Sequence, residues 1–199
     1  MQENLNAFQL PAIFQLLAKD PPHPMSAQEE PEKPERLQQQ VAIFNNIARA
    51  MTSSLGLNSI LQIIMDGMAE FFRPSTWSLL RVDEQKNELY FVITDNDTPA
   101  PIKKTRLKVG EGIAGWVAKH GESLIVPDVY SDPRFANRLD EMAKWKTKSI
   151  LCLPLQTRHR VLGVIQLINC AEESLGEQEM YFLHALCDYA AIAIDYRRE

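Results

Sequence analysis

The sequence predicts an α+β domain: a mostly antiparallel central sheet, with long N- and C-terminal helices on one face and short helices and loops on the other. Three observations carry this. Apolar residues recur at three- and four-residue spacing from Arg36 to Phe72, and again from about 175 to 197, which is helical periodicity. Between these regions, TWSLLRV (76–82) and ELYFVIT (88–94) are joined by DEQKN. SILCLPLQ (149–156) and RVLGVIQLIN (160–169) are joined by TRH. Two β-prone runs that close through a short polar turn make an antiparallel hairpin, because parallel strands need a long crossover.

The elements follow in order. Residues 5–18 (LNAFQLPAIFQLLA) can form an amphipathic turn or two. Residues 20–35 hold five of the chain's twelve prolines among charges and read as a linker, so 1–35 is set apart from a domain at 36–199. Leu37, Val41, Phe44, Ala48 and Met51 mark the stripe of a first helix. Ile60 or Leu61, Ile64, Met68 and Phe71 or Phe72 mark a second, over about 58–72, which Pro74 stops. After the first hairpin, DNDTPAP (95–101) reads as loop and KKTRLKV (103–109) as an edge strand protected by its lysines. GEGIAGWVAKHG reads as a turn and short helix ended by Gly121. SLIV (123–126) is a brief strand, PDVYSDPRF (127–135) a structured loop, and 136–145 a helix. Ser174 with Glu177 has the spacing of a capping box for the last helix. On that helix Leu183, Leu186, Ala190, Ala193 and Arg197 line one side; Phe182, Tyr189, Ile192 and Tyr196 line another. Helices with more than one apolar stripe need cover beyond their own sheet, which predicts a homodimer through residues 37–72 and 175–198; the alternative is that the extra apolar face meets the chain's own N-terminal segment.

Composition narrows the function classes. A net charge of −5 gives no global basic footprint for nucleic acid. No apolar run reaches the ~18–20 residues a membrane span needs, and MQENLNAFQL lacks the basic and apolar regions of a signal peptide. Cys152, Cys170 and Cys187 form neither a disulfide framework nor a metal knuckle, which fits a reducing cytoplasm. His23, His120, His159 and His184 are scattered without ligand spacing, and His159 reads as a solvent-facing turn residue. The chain holds no serine elbow, no Walker-type phosphate loop and no cysteine–histidine arrangement. GEGIAG matches the letters of a dinucleotide fingerprint but lacks the βαβ unit that gives them meaning.

VGEGIAGWVAKHGESLIVPDVYSDPRF (109–135), DEMAKWKTKSILCLPL (140–155) and RVLGVIQLIN (160–169), in this order and spacing, resemble the GAF domain family. The resemblance runs from about residue 40 to the C-terminus. It implies a regulatory module rather than an enzyme, with a pocket between the sheet and residues 110–148. By similarity, Ile113, Ala114, Trp116, Phe135, Trp145, Thr147 and Ser149 are pocket candidates, with Asp128 and Asp132 in a loop near its mouth. The two aspartates read equally well as turn and cap residues. Residues 134–148 hold Arg134, Arg138, Lys144, Lys146 and Lys148 against Asp140 and Glu141. That run suits a small anionic or nucleotide ligand, or it is a solvated surface.

The resemblance to nucleotide-binding members is incomplete. They carry a dispersed Asn-Lys-Phe-Asp-Glu signature that this chain lacks in full, and Lys144–Trp145 stand where those members often show Gly–Phe. GAF-like methionine sulfoxide reductases act through pocket cysteines, whereas Cys152 and Cys187 read as core residues. No cofactor is implied. The final helix, ending IAIDYRRE, resembles the stalk that leads into a C-terminal output domain of a cytoplasmic signalling protein. Residues 109–169 are closest to bacterial signalling proteins, and a cyclic-di-nucleotide enzyme such as a diguanylate cyclase is the favoured host. The alternative is a pocketless GAF domain that serves as a structural dimerisation module.

Overall fold

The computed structural model describes residues 32–135, 138–158, 160–170 and 175–196. The expectations for residues 1–31, for Ser174 as a cap, for His159 and for Arg197 lie outside the described residues.

Six strands form one sheet: β1 (Thr76–Asp83), β2 (Glu88–Thr94), β3 (Arg106–Lys108), β4 (Leu124–Val126), β5 (Ile150–Gln156) and β6 (Val161–Ile168). Their order is β3-β2-β1-β6-β5-β4, and every neighbouring pair is antiparallel. Both expected hairpins are present, and the early and late hairpins meet where β1 pairs with β6. Leu79, Leu151, Leu153, Ile165 and Leu167 point to one face, while Leu80, Cys152 and Val164 point to the other. Both faces are therefore buried, and the central strands read as nearly unbroken apolar runs for that reason.

Helices α1 (Glu32–Met51), α2 (Leu57–Phe72) and α6 (Glu177–Tyr196) serve the first face. Phe182 on α6 lies at the centre of an aromatic group, with ring centroids 5.1 Å from Phe44, 4.8 Å from Phe71 and 6.2 Å from Phe72. It is thus a core residue, not part of the outer stripe with Ile192 and Tyr196. Helix α1 packs against α2 and α6, with Ile43 against Gly67 and Arg36 paired with Glu179 at 3.6 Å. It begins at Glu32, inside the stretch read as linker. Pro34 falls in its first turn, where a missing N–H breaks no helical bond. The stripe expected on α1 also needs correction. Ile43, Ile47 and Ala50 are its buried residues, whereas Leu37 and Val41 are 60% and 50% exposed. Apolar residues occupy two sides of this helix, so spacing alone selected the outward one.

The second face carries α3 (Ala100–Lys103), α4 (Gly112–His120), a 3₁₀ turn at Val129–Ser131 and α5 (Arg138–Ala143). Helix α3 starts within DNDTPAP, where Pro99 and Pro101 supply backbone angles suited to a helix start. The three glycines of VGEGIAGWV have separate tasks. Gly110 and Gly112 take φ of 94° and 70°, turning the chain from β3 into α4. Gly115 lets that helix approach the backbone: a Cβ here would overlap the Lys108 carbonyl oxygen, and the Gly115 carbonyl accepts the Gly110 N–H at 2.8 Å. Gly115→Ala is accordingly expected to cost about 1–3 kcal/mol by forcing α4 off β3, as overpacked cores do. Urea unfolding tests this; an unchanged midpoint would show that the approach is not obligatory.

Candidate functional site

Beneath α4 and α5 the sheet encloses a cavity of about 350 Å³. Its floor includes Ser78, Ile150, Gln166 and Ile168. Ser78 on β1 and Gln166 on β6 are partners across the ladder, so their side chains share one face. One wall is Ile113 and Ala114 at the start of α4, continued by Phe135, Leu139, Asp140, Trp145 and Thr147. The lining also includes Phe91, Thr98, Ile102 and Leu107, together with Arg106, Lys108, Glu111 and Arg138. Ser78, Thr98, Asp140, Thr147 and Gln166 are the buried polar or charged residues among those described, and all five line this cavity. The other buried side chains among the described residues are apolar.

The wall at 140–149 is braced from two sides. The buried Asp140 carboxylate accepts the Thr147 hydroxyl at 2.6 Å and the Thr147 N–H at 2.8 Å, while its carbonyl accepts the Trp145 N–H at 3.0 Å. Lys144 makes the turn at φ 56°. The Asn169 amide oxygen accepts the N–H groups of Lys148 and Ser149 at 2.7 and 3.1 Å, and its NH₂ donates to the Lys146 carbonyl at 3.1 Å. These bonds fix the segment that carries Trp145 to the end of β6.

The sequence candidates separate in space. Ile113, Ala114, Phe135, Arg138, Trp145 and Thr147 line the cavity; Trp116, Asp128, Asp132 and Ser149 do not. Trp116 stacks on His120 at 4.1 Å, with the Arg134 guanidinium 4.9 Å from its ring centre. Asp132 holds Arg134 through contacts of 2.9 and 2.6 Å, and that guanidinium keeps its carboxyl below the usual value. Asp128 caps the 3₁₀ turn, accepting from the Tyr130 N–H at 3.1 Å and the Ser131 hydroxyl at 2.5 Å. The two aspartates are turn residues. Ser149 is part of the Asn169 brace. Of the basic run, Arg138 reaches the cavity, whereas Lys144, Lys146 and Lys148 are exposed to solvent.

Sequence reasoning missed Thr98, Arg106 and Gln166 as lining residues, and took Asp140 as a counter-charge. Gln166 had a signal, since it is the one polar residue inside VLGVIQLI. Thr98 had none. The cysteines lie outside the cavity. Burial drives the Cys152 and Cys187 thiols far above their ordinary range and pushes Cys170 up to about 11, so none offers a ready thiolate. Among the described residues no group of three His, Cys, Asp or Glu side chains could hold a metal ion, and no helix is long and apolar enough to cross a membrane.

A sheet with a cavity of this kind under short helices has the size and lining of a small-molecule site. The model of one family, the GAF domain, matches residues 56–194, and the chain belongs to that family. GAF domains are regulatory, small-molecule-sensing modules. The chain is 40% identical over 88 residues to the dual 3′,5′-cyclic-AMP and -GMP phosphodiesterase 11A of Takifugu rubripes, covering 43% of this chain and 10% of the relative. It is 26% identical over 163 residues to a probable 3′,5′-cyclic phosphodiesterase, pde-5, of Caenorhabditis elegans, covering 77% of this chain and 22% of the relative. The chain thus spans a small part of these relatives. The GAF domain of a phosphoenolpyruvate-protein phosphotransferase from Coxiella burnetii superposes with a TM-score of 0.71 at 22% identity, covering 81% of this chain and 95% of that one. That likeness shows the fold. Both relatives are named as cyclic phosphodiesterases, in contrast to the cyclic-di-nucleotide host expected from the sequence.

Asp140→Ala removes the acceptor of two buried donors, and a loss of about 1–3 kcal/mol is expected. Faster hydrogen exchange at the Thr147 and Trp145 amides will accompany it if the carboxylate holds this wall; unchanged exchange would show that Asn169 suffices.

Proposed function

We propose that the cavity binds a purine 3′,5′-cyclic mononucleotide and that the domain reports its occupancy to an attached output domain. One observation carries the reading: the cavity combines aromatic rings, buried uncharged polar groups and arginines. Phe91, Phe135 and Trp145 offer surfaces on which a base can stack. Ser78 and Gln166 offer hydrogen bonds to a polar ligand, and Arg138 offers positive charge to a phosphate, whereas Arg106 is paired with Asp83 at 2.9 Å and Glu88 at 3.4 Å. A volume near 350 Å³ falls within the roughly 300–1,000 Å³ typical of small-ligand sites. The names of the two phosphodiesterase relatives support the same class of ligand and an output that acts on cyclic nucleotides.

Isothermal titration with cGMP and with cAMP tests this. Binding of at least one is expected, and Trp145→Ala should weaken it about tenfold or more, since base–aromatic stacking contributes roughly 1–3 kcal/mol. Absence of heat, and of any thermal shift, with both nucleotides would overturn the proposal.

The same reading includes a homodimer through the long helices. Leu37 and Val41 on α1, and Tyr181, Ile192 and Tyr196 on α6, are large apolar residues that stay exposed. Ligand-dependent tilting of paired helices would bias a two-state assembly. Sedimentation should show a dimer for the wild type and a monomer for Val41→Glu/Ile192→Glu, with nucleotide affinity retained. A monomeric wild type would remove this part of the reading and leave the cavity proposal in place.

A further inference from the structure

Thr98 stands in the loop between β2 and α3, 5% exposed, and lines the cavity. Its amide is satisfied, donating to the Asp95 carbonyl at 3.1 Å. Its hydroxyl oxygen is sealed from solvent and has no hydrogen-bond partner among the described residues. Thr147, in the lining of the same cavity, makes the contrast: its hydroxyl is committed to Asp140 at 2.6 Å. A buried hydroxyl without a partner is unfavourable, because it has given up water and gained nothing in return. Valine has almost the same shape and carries no such penalty.

We infer that Thr98 is a ligand-contacting residue whose hydroxyl hydrogen-bonds to a polar atom of the molecule held in the cavity. The hydroxyl can donate or accept, and a turn of about 120° around χ1 exchanges its position with that of the methyl group. Hydrogen-bonding capacity that the empty domain leaves unmet is met on binding. The neighbouring structure gives that bond a further effect. Thr98 leads into α3, whose Ile102 is 1% exposed and lines the same cavity, and α3 packs on α5. A ligand bonded to Thr98 therefore ties the 98–103 segment to the wall that carries Asp140. This inference rests on the cyclic-nucleotide reading of the cavity.

The test compares wild type, Thr98→Val and Thr98→Ser by thermal melting of the empty domain and by titration with cGMP and cAMP. Thr98→Val should melt about 2–4 °C higher than wild type when empty, because the unpaired hydroxyl is gone. It should nevertheless bind the nucleotide about 3- to 10-fold more weakly. Thr98→Ser should restore most of the affinity. Equal affinity in Thr98→Val and wild type would overturn the role of Thr98 and leave the nucleotide reading intact. A lower melting temperature, or loss of the fold, in Thr98→Val would show that the hydroxyl already holds the empty structure, and overturns the inference too. Failure of wild type to bind either nucleotide would overturn both.

Discussion

The helix that covers the central strands on the second sheet face is nine residues long, whereas those along the first face run 16 and 20 residues. Helices α2 and α6 seal the first face along the central strands, and no polar side chain intrudes among the residues of that core. On the second face α4 covers Leu80, Cys152 and Val164, then ends. The uncovered remainder of the sheet is where Ser78 and Gln166 stand, and where loops must complete the enclosure. The cavity follows from this mismatch in length. The close approach at Gly115 sets how near α4 sits to β3, and thereby where the enclosure begins.

Loops make an enclosure only if their backbone groups are satisfied, since each unpaired buried group weakens the wall. Asp140 and Asn169 supply that satisfaction for residues 145–149. The two braces reach different places. Asp140 ties the wall to α5, and Asn169 ties it to the end of β6, from which the chain runs on towards α6. The segment after Trp145 is thus held, through Asn169, at the end of the strand that precedes the C-terminal helix in the chain.

The fold was legible in the sequence where local pattern and burial agree. The paired strands around DEQKN and TRH, and the helix opened by Gly110 and Gly112, all rest on chemistry confined to a few residues. Orientation was less legible. Spacing on α1 picked Leu37 and Val41 because the helix has apolar residues on two sides, and only packing against α2 and α6 distinguishes them. The same limit divides the two tryptophans. Trp116 and Trp145 look alike in sequence, yet one stacks against His120 outside the cavity and the other forms its wall. Asp140 looked like surface charge because its partner, Thr147, lies across a turn whose shape depends on Lys144 at positive φ. Thr98 is at the far end of this scale: what distinguishes it is the absence of a bond, and a sequence does not display absences.

The two edge strands of the sheet, β3 and β4, are three residues each. Edges so short give a second chain little backbone to pair with. Contacts made through strands and contacts made through helices differ in what they permit. A strand ladder moves in whole steps, because a one-residue slip turns every side chain to the wrong face. Packed helices can shift by an ångström or two without breaking a hydrogen-bond register. A domain that associates through α1 and α6 therefore has an adjustable joint, and one that associated through its sheet would have a rigid seam.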